Sequence, residues 1–169
     1  MSEKPADLAP GNRGVARLGF VVPVSNTNLE PDMYSTFPAG TSVHFVRAGG
    51  YDLEKVPDSE QMARFADASL EPILRDLGAA RPDVVGYGCT SATLTRGPEY
   101  DRTFSRKMQQ LAGVPCVTAA GAICEALTQL GVERISFTSP YTEQLNQEGA
   151  DFLEAAGLDV VNVSYIGRD

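Results

Sequence analysis

The chain has 169 residues, 43% of them hydrophobic, with a formal net charge of −8 at pH 7 and an isoelectric point near 4.6. That length suits one ordinary domain or two small lobes, and that apolar content excludes a disordered chain. The negative balance argues against nucleic acid and anionic membrane as partners, because both reward basic patches.

Residues 1–16, opening MSEKPADLAPGNRG, read as a polar, flexible leader without the apolar stretch of a signal peptide. No run approaches the roughly 18 apolar residues of a membrane span. The expected location is therefore cytoplasmic. RLGFVVP, residues 17–23, is a continuous apolar run ended by Pro and predicts a buried strand. Residues 41–48 predict a second strand, with Gly49-Gly50 as a turn. Residues 58–77 place Met62, Phe65, Ala66, Leu70, Ile73, Leu74 and Leu77 on one helical face. Pro72 falls inside that pattern and is expected to kink or divide it. Residues 82–87 predict a third strand. Pro98 suits the first turn of a helix carrying Tyr100, Phe104, Met108 and Leu111, stopped by Gly113. A strand over 114–118, a helix over 119–130, a strand over 134–139, a helix over 142–156 and a last strand over 159–166 follow. Alternating strands and helices predict an α/β fold with parallel sheets.

GVARLGFVVP at 14–23 matches GVERISFTSP at 131–140, with Gly, Val, Arg, Phe and Pro coinciding at an offset of 117. Two βαβ halves of common design are expected, a first lobe over 17–118 and a partial second lobe over 119–169. Cys89 stands 66 residues after Pro23, so its counterpart would fall near position 206, past Asp169. The second lobe is therefore expected to be incomplete. Its unpaired edge predicts a homo-oligomer.

Ligands of parallel sheets bind beyond the carboxyl ends of the strands. Three groups fall there: Pro23 with Asn26, then Cys89-Thr90-Ser91, then Tyr141-Thr142. An amide, three hydroxyls and free backbone N–H groups suit a carboxylate or an enediolate. Cys89 is either a packed small residue or a nucleophile whose pKa is lowered by nearby N–H dipoles. Asn26 is either a carboxylate donor or a helix cap. Cys116 and Cys124 are expected in the core. His44, alone of its kind, is expected to be structural or at the surface. Without a CxxC pair or a second histidine, a zinc site is not expected. The sequence has neither GxGxxG nor a P-loop pattern, so nucleotide phosphate has no support.

VVPVSNTNLE, VVGYGCTSATLTRGPEYD, GVPCVTAAGAICEALTQLGVERISF and TSPYTEQLN together resemble the aspartate/glutamate racemase superfamily. Within it they resemble the branch of maleate cis-trans isomerases, arylmalonate decarboxylases and ectoine-utilisation proteins. The resemblance implies two pseudo-symmetric lobes around one site, with neither cofactor nor metal. It implies a cysteine from each lobe, Cys89 matching the first. The isomerase thiolate adds to the substrate double bond. The decarboxylase has glycine where Cys89 stands. Thr90, Ser91 and Tyr141 match the pocket that cradles a carboxylate, and Asn26 matches a substrate-binding Asn. Pro23 and Thr142 lie in the same stretches and are expected at the substrate. The second-lobe cysteine has no counterpart before Asp169. The expected function is a cofactor-independent, cysteine-based isomerase of a small dicarboxylate. An arylmalonate-type decarboxylase, an amino-acid racemase and a non-catalytic carboxylate-binding or subunit-pairing module are its alternatives.

Overall fold

The computed structural model describes residues 15–49, 58–67 and 70–166. Residues 1–14 of the expected leader, and Gly50 of the expected turn, lie outside the described residues. In chain order the elements are β1 (Ala16–Pro23), α1 (Leu29–Thr36), β2 (Thr41–Ala48), α2 (Ser59–Asp67), α3 (Leu70–Gly78), β3 (Val84–Tyr87), α4 (Thr90–Leu94), α5 (Gly97–Ala112), β4 (Cys116–Thr118), α6 (Ala119–Gln129), β5 (Arg134–Ser139), α7 (Glu143–Ala155) and β6 (Asp159–Tyr165). The leader therefore yields to structure earlier than expected. Val15 N donates to Gly40 O (2.7 Å), and β1 begins at Ala16.

Four strands form one sheet in the order β2-β1-β3-β4, and β5 pairs with β6 in a second. Every pairing is parallel, as the α/β pattern predicts. The repeat is visible in the register. Arg17 pairs with Ser42 and Arg134 pairs with Asp159, 25 residues on in each case (42 − 17 and 159 − 134). A bulge after Ile135 then shifts the second unit by one residue.

β1 reads as unbroken apolar sequence because both its faces are covered. On one face Gly19 has no side chain, and Leu77 of α3 fills the space, 3.0 Å from where a Cβ would stand. On the other, Phe20 stacks on Phe45 at 5.7 Å between centroids and meets Phe37 at 6.3 Å. The first core gathers Val21, Phe65, Leu74, Val85, Tyr87, Phe104 and Met108 with Cys89. The second is smaller, built on Leu94, Ala120, Phe152, Leu153 and Leu158. Two helices serve both cores. α4 places Ala92 in the first and Leu94 in the second, and α7 places Leu145 in the first and Phe152 in the second.

Several expectations need correction. The pattern expected over 58–77 is carried by α2 and α3, with residues 68–69 outside the described residues, and Pro72, expected to kink or divide it, sits in the first turn of α3, where no N–H is required. Leu111 is 41% exposed, not on the buried face of α5. Cys116 and Cys124 are half-buried, not core. Thr90 and Ser91 lie in the helix α4, not in a loop. The helices α1 and α4 have no counterpart in the expected pattern. His44 is half-buried in β2, its Nε2 3.3 Å from Ser42 Oγ. No helix among the described residues is long and apolar enough to cross a membrane.

Candidate active site

The carboxyl ends of β1, β3 and β5 deliver the sequence-predicted residues. After β1 the chain turns, and the Pro23 carbonyl accepts from Asn26 N at 3.0 Å. The Asn26 Oδ1 then accepts from the backbone N of Asn28 (3.0 Å) and of Leu29 (2.9 Å). Asn26 thus starts α1, a helix with no fully buried residue that is also tied to β2 by the Glu30–Arg47 ion pair. With its oxygen so used, the amide has its NH₂ left to donate outward. Gly88 has no side chain, and Leu29 of α1 occupies the space. That contact brings the Asn26 turn alongside Cys89.

Cys89 follows β3 in extended conformation, immediately before α4, and is 7% exposed. The Ser91 hydroxyl lies 3.8 Å from the Cys89 sulfur and donates to Met62 Sδ at 3.1 Å. The expected lowering of the thiol pKa is not found. Burial pushes the Cys89 thiol above its ordinary 9.0, and the Ala92 amide and Ser91 hydroxyl pull it only part of the way back. The reason is physical. α4 has five residues, too few for much of a dipole, whereas the desolvating core surrounds the sulfur. At neutral pH the ligand-free thiol is therefore protonated.

Tyr141 follows β5 and packs against the same core as Cys89. Burial raises its phenol pKa, a charge on Cys89 raises it further, and the Ser91 hydroxyl lowers it. Cys89, Ser91 and Tyr141 thus form one cluster, drawn from both repeats. The remaining predicted residues lie at the same strand ends. The Thr142 hydroxyl accepts from Leu145 N at 3.3 Å and caps α7. Thr90 is half-buried and borders an apolar groove of about 270 Å³ with Leu94, Ile135 and Phe137. Pro23 shapes the Asn26 turn through its carbonyl.

The arylmalonate decarboxylase family model matches residues 18–167, which include all three strand ends. The chain belongs to the arylmalonate decarboxylase family. Its relatives in this family include a maleate isomerase of Nocardia farcinica, 31% identical over 156 residues, covering 87% of this chain and 60% of that protein. The arylmalonate decarboxylase of Bordetella bronchiseptica is 28% identical over 140 residues, covering 82% of this chain and 52% of that protein. Among solved structures, a cysteine-to-serine variant of the Nocardia farcinica maleate cis-trans isomerase carries a covalently bound succinylcysteine intermediate. It superposes with a TM-score of 0.80 at 25% identity, covering 90% of this chain and 64% of that one. The chain thus spans about 60% of the length of the maleate isomerases it matches. The two-lobed α/β fold and the resemblance read from the motifs agree with these matches.

Two residues of this site were missed in the sequence. Met62 was placed on a buried helical face, but its use as acceptor for Ser91 cannot be read from spacing. Asn146, 1% exposed, holds the turn that carries Tyr141. A signal for it existed, since Asn146 shares the buried stripe of α7 with Ala150 and Leu153, where an amide is out of place.

Proposed function

We propose that this chain carries the first half-site of a cofactor-independent, cysteine-based cis-trans isomerase acting on a small dicarboxylate of the maleate type. The observation that carries this reading is the cluster of Cys89, Ser91 and Tyr141 at the strand ends of a maleate-isomerase relative. Cys89 also favours the isomerase over the decarboxylase, whose pattern has glycine there.

In the proposed reaction, the S–H bond of Cys89 breaks, its proton passing to a carboxylate oxygen of the substrate, as Sγ bonds to one alkene carbon. The π electrons move onto the adjacent carboxylate as an enediolate. Hydroxyl groups of Ser91 and Tyr141, with the Asn26 amide, donate to its oxygens, where charge develops. Placing the thiol proton on the second carbon completes an S-succinyl adduct. Rotation about the new single bond, then loss of the same thiol and proton, returns Cys89 and the trans isomer.

The test is alkylation of Cys89 by iodoacetamide, followed by peptide mapping, with and without millimolar maleate. Selective protection of Cys89, with Cys116 and Cys124 unchanged, is the expected result. Equal rates at all three cysteines in either condition would remove the reading. Cys89→Ser should abolish any maleate-to-fumarate turnover by this protein.

A further inference from the structure

Asn146 is a fully buried carboxamide whose hydrogen bonds all go to one short turn. Its Oδ1 accepts from Ser139 Oγ at 2.9 Å. Its Nδ2 donates to the carbonyls of Tyr141 and Thr142, at 3.2 Å each. The Ser139 hydroxyl in turn accepts from Tyr141 N at 3.0 Å. Two side chains therefore hold the backbone of Tyr141 by both its N–H and its C=O. An amide in an apolar helical stripe costs stability unless every polar atom is paired, and a leucine there would pack without that demand. What the amide supplies and a leucine cannot is a fixed path for residues 139–142. That path sets where the Tyr141 ring lies, and the ring packs on the core that includes Cys89.

We propose that Asn146 is a positioning residue: through the Ser139–Thr142 turn it holds Tyr141 over Cys89 and Ser91, so the half-site is assembled before ligand arrives. The catalytic meaning of that position rests on the proposed function above, but the position itself does not.

The experiment measures the rate of iodoacetamide alkylation at each cysteine in ligand-free protein. Asn146→Asp keeps the acceptor for Ser139 and removes both N–H donors. It should accelerate Cys89 about tenfold, the scale expected for coupled neighbours. Cys116 and Cys124 should keep their wild-type rates. In a Tyr141→Ala background, where the cover is already gone, Asn146→Asp should change the Cys89 rate less than about twofold. An unchanged Cys89 rate, a common acceleration of all three cysteines, or effects that multiply in the double variant would each overturn the proposal. Should Asn146→Asp not fold, Ser139→Ala removes one contact of the same set and is judged by the same criteria at about threefold. Maleate separates the two readings. Loss of maleate protection in the wild type removes the isomerase reading and leaves the ligand-free coupling standing. Loss of the coupling removes the role of Asn146 and leaves the protection standing.

Discussion

The two repeats begin with matched residues and diverge in how many faces they bury. β1 reads Arg17-Leu18-Gly19-Phe20-Val21-Val22, apolar at every position after Arg17, and helices or aromatic rings cover both its sides. β5 reads Arg134-Ile135-Ser136-Phe137-Thr138 and alternates. Ile135 and Phe137 meet the second core, while Arg134, Ser136 and Thr138 are exposed. Across to β6 the exposed side carries the Arg134–Asp159 pair at 3.0 Å and the Thr138–Ser164 hydroxyl contact at 2.7 Å. The second sheet is therefore built with one wet face by its own residues. A repeat can keep its register while changing which faces are buried.

The comparison is broken most directly by emptying each core in turn. Phe104 packs edge-on to Tyr87 at 4.8 Å in the larger core, so Phe104→Ala should cost about 3–5 kcal/mol in urea unfolding. Phe152→Ala should fall at or below the low end of that range, about 3 kcal/mol, because the smaller core beside an open sheet can collapse into the gap. Equal costs would mean that the two cores are equally rigid.

Glycines give a finer comparison. A Cβ on Gly86 would strike the Phe20 ring, which is wedged against Phe45, so Gly86→Ala should cost about 1–3 kcal/mol. A Cβ on Gly149 would stand 2.8 Å from Phe137, on a strand free at one edge. There the ring can move, and replacing a helical glycine returns up to about 1 kcal/mol. Gly149→Ala should therefore melt within a few degrees of wild type.

Alkaline pH sharpens the contrast next. Burial raises Cys89, Cys116 (to about 11), Cys124 and Tyr141, so the folded state keeps protons that the unfolded chain releases. Stability should be flat below the ordinary thiol value of 9.0 and fall as pH rises past it. Cys116→Ala should remove more of that slope than Cys124→Ala, since Cys116 is the thiol pushed up to about 11. Melting temperatures between pH 8 and pH 10 check this. The smallest effect belongs to the exposed pair on β5 and β6, where Asp159→Ala should shift stability by less than about 1 kcal/mol.

Most of this architecture was legible where burial imposes a period. The strands and the helices α5, α6 and α7 carry apolar repeats, and the expected stop Gly113 adopts positive φ, as do Gly131 and Gly157 just past α6 and α7. What failed had no period to read. LEPDMYST in α1 buries nothing and is held at its start by Asn26. TSATL in α4 is one turn and is buried nearly throughout. The raised Cys89 thiol was unreadable for a related reason. Desolvation depends on the whole core that includes Cys89, and its members, from Val21 to Leu145, are scattered along the chain. The cluster with Tyr141 was anticipated through the repeat. Its bracing by Asn146 was not, because a helix pattern shows where an amide sits and not what it holds.

The two helices shared between the cores have a dynamic consequence. A hinge needs a boundary that few packed side chains cross, but here α4 and α7 each anchor in both cores. Rigid-body opening at the seam would pull Leu145 from one core or Phe152 from the other. Access to the thiol has to come from rotamer changes and local loosening of the 139–142 turn, on the timescale of side chains and loops, with the body of the protein standing still.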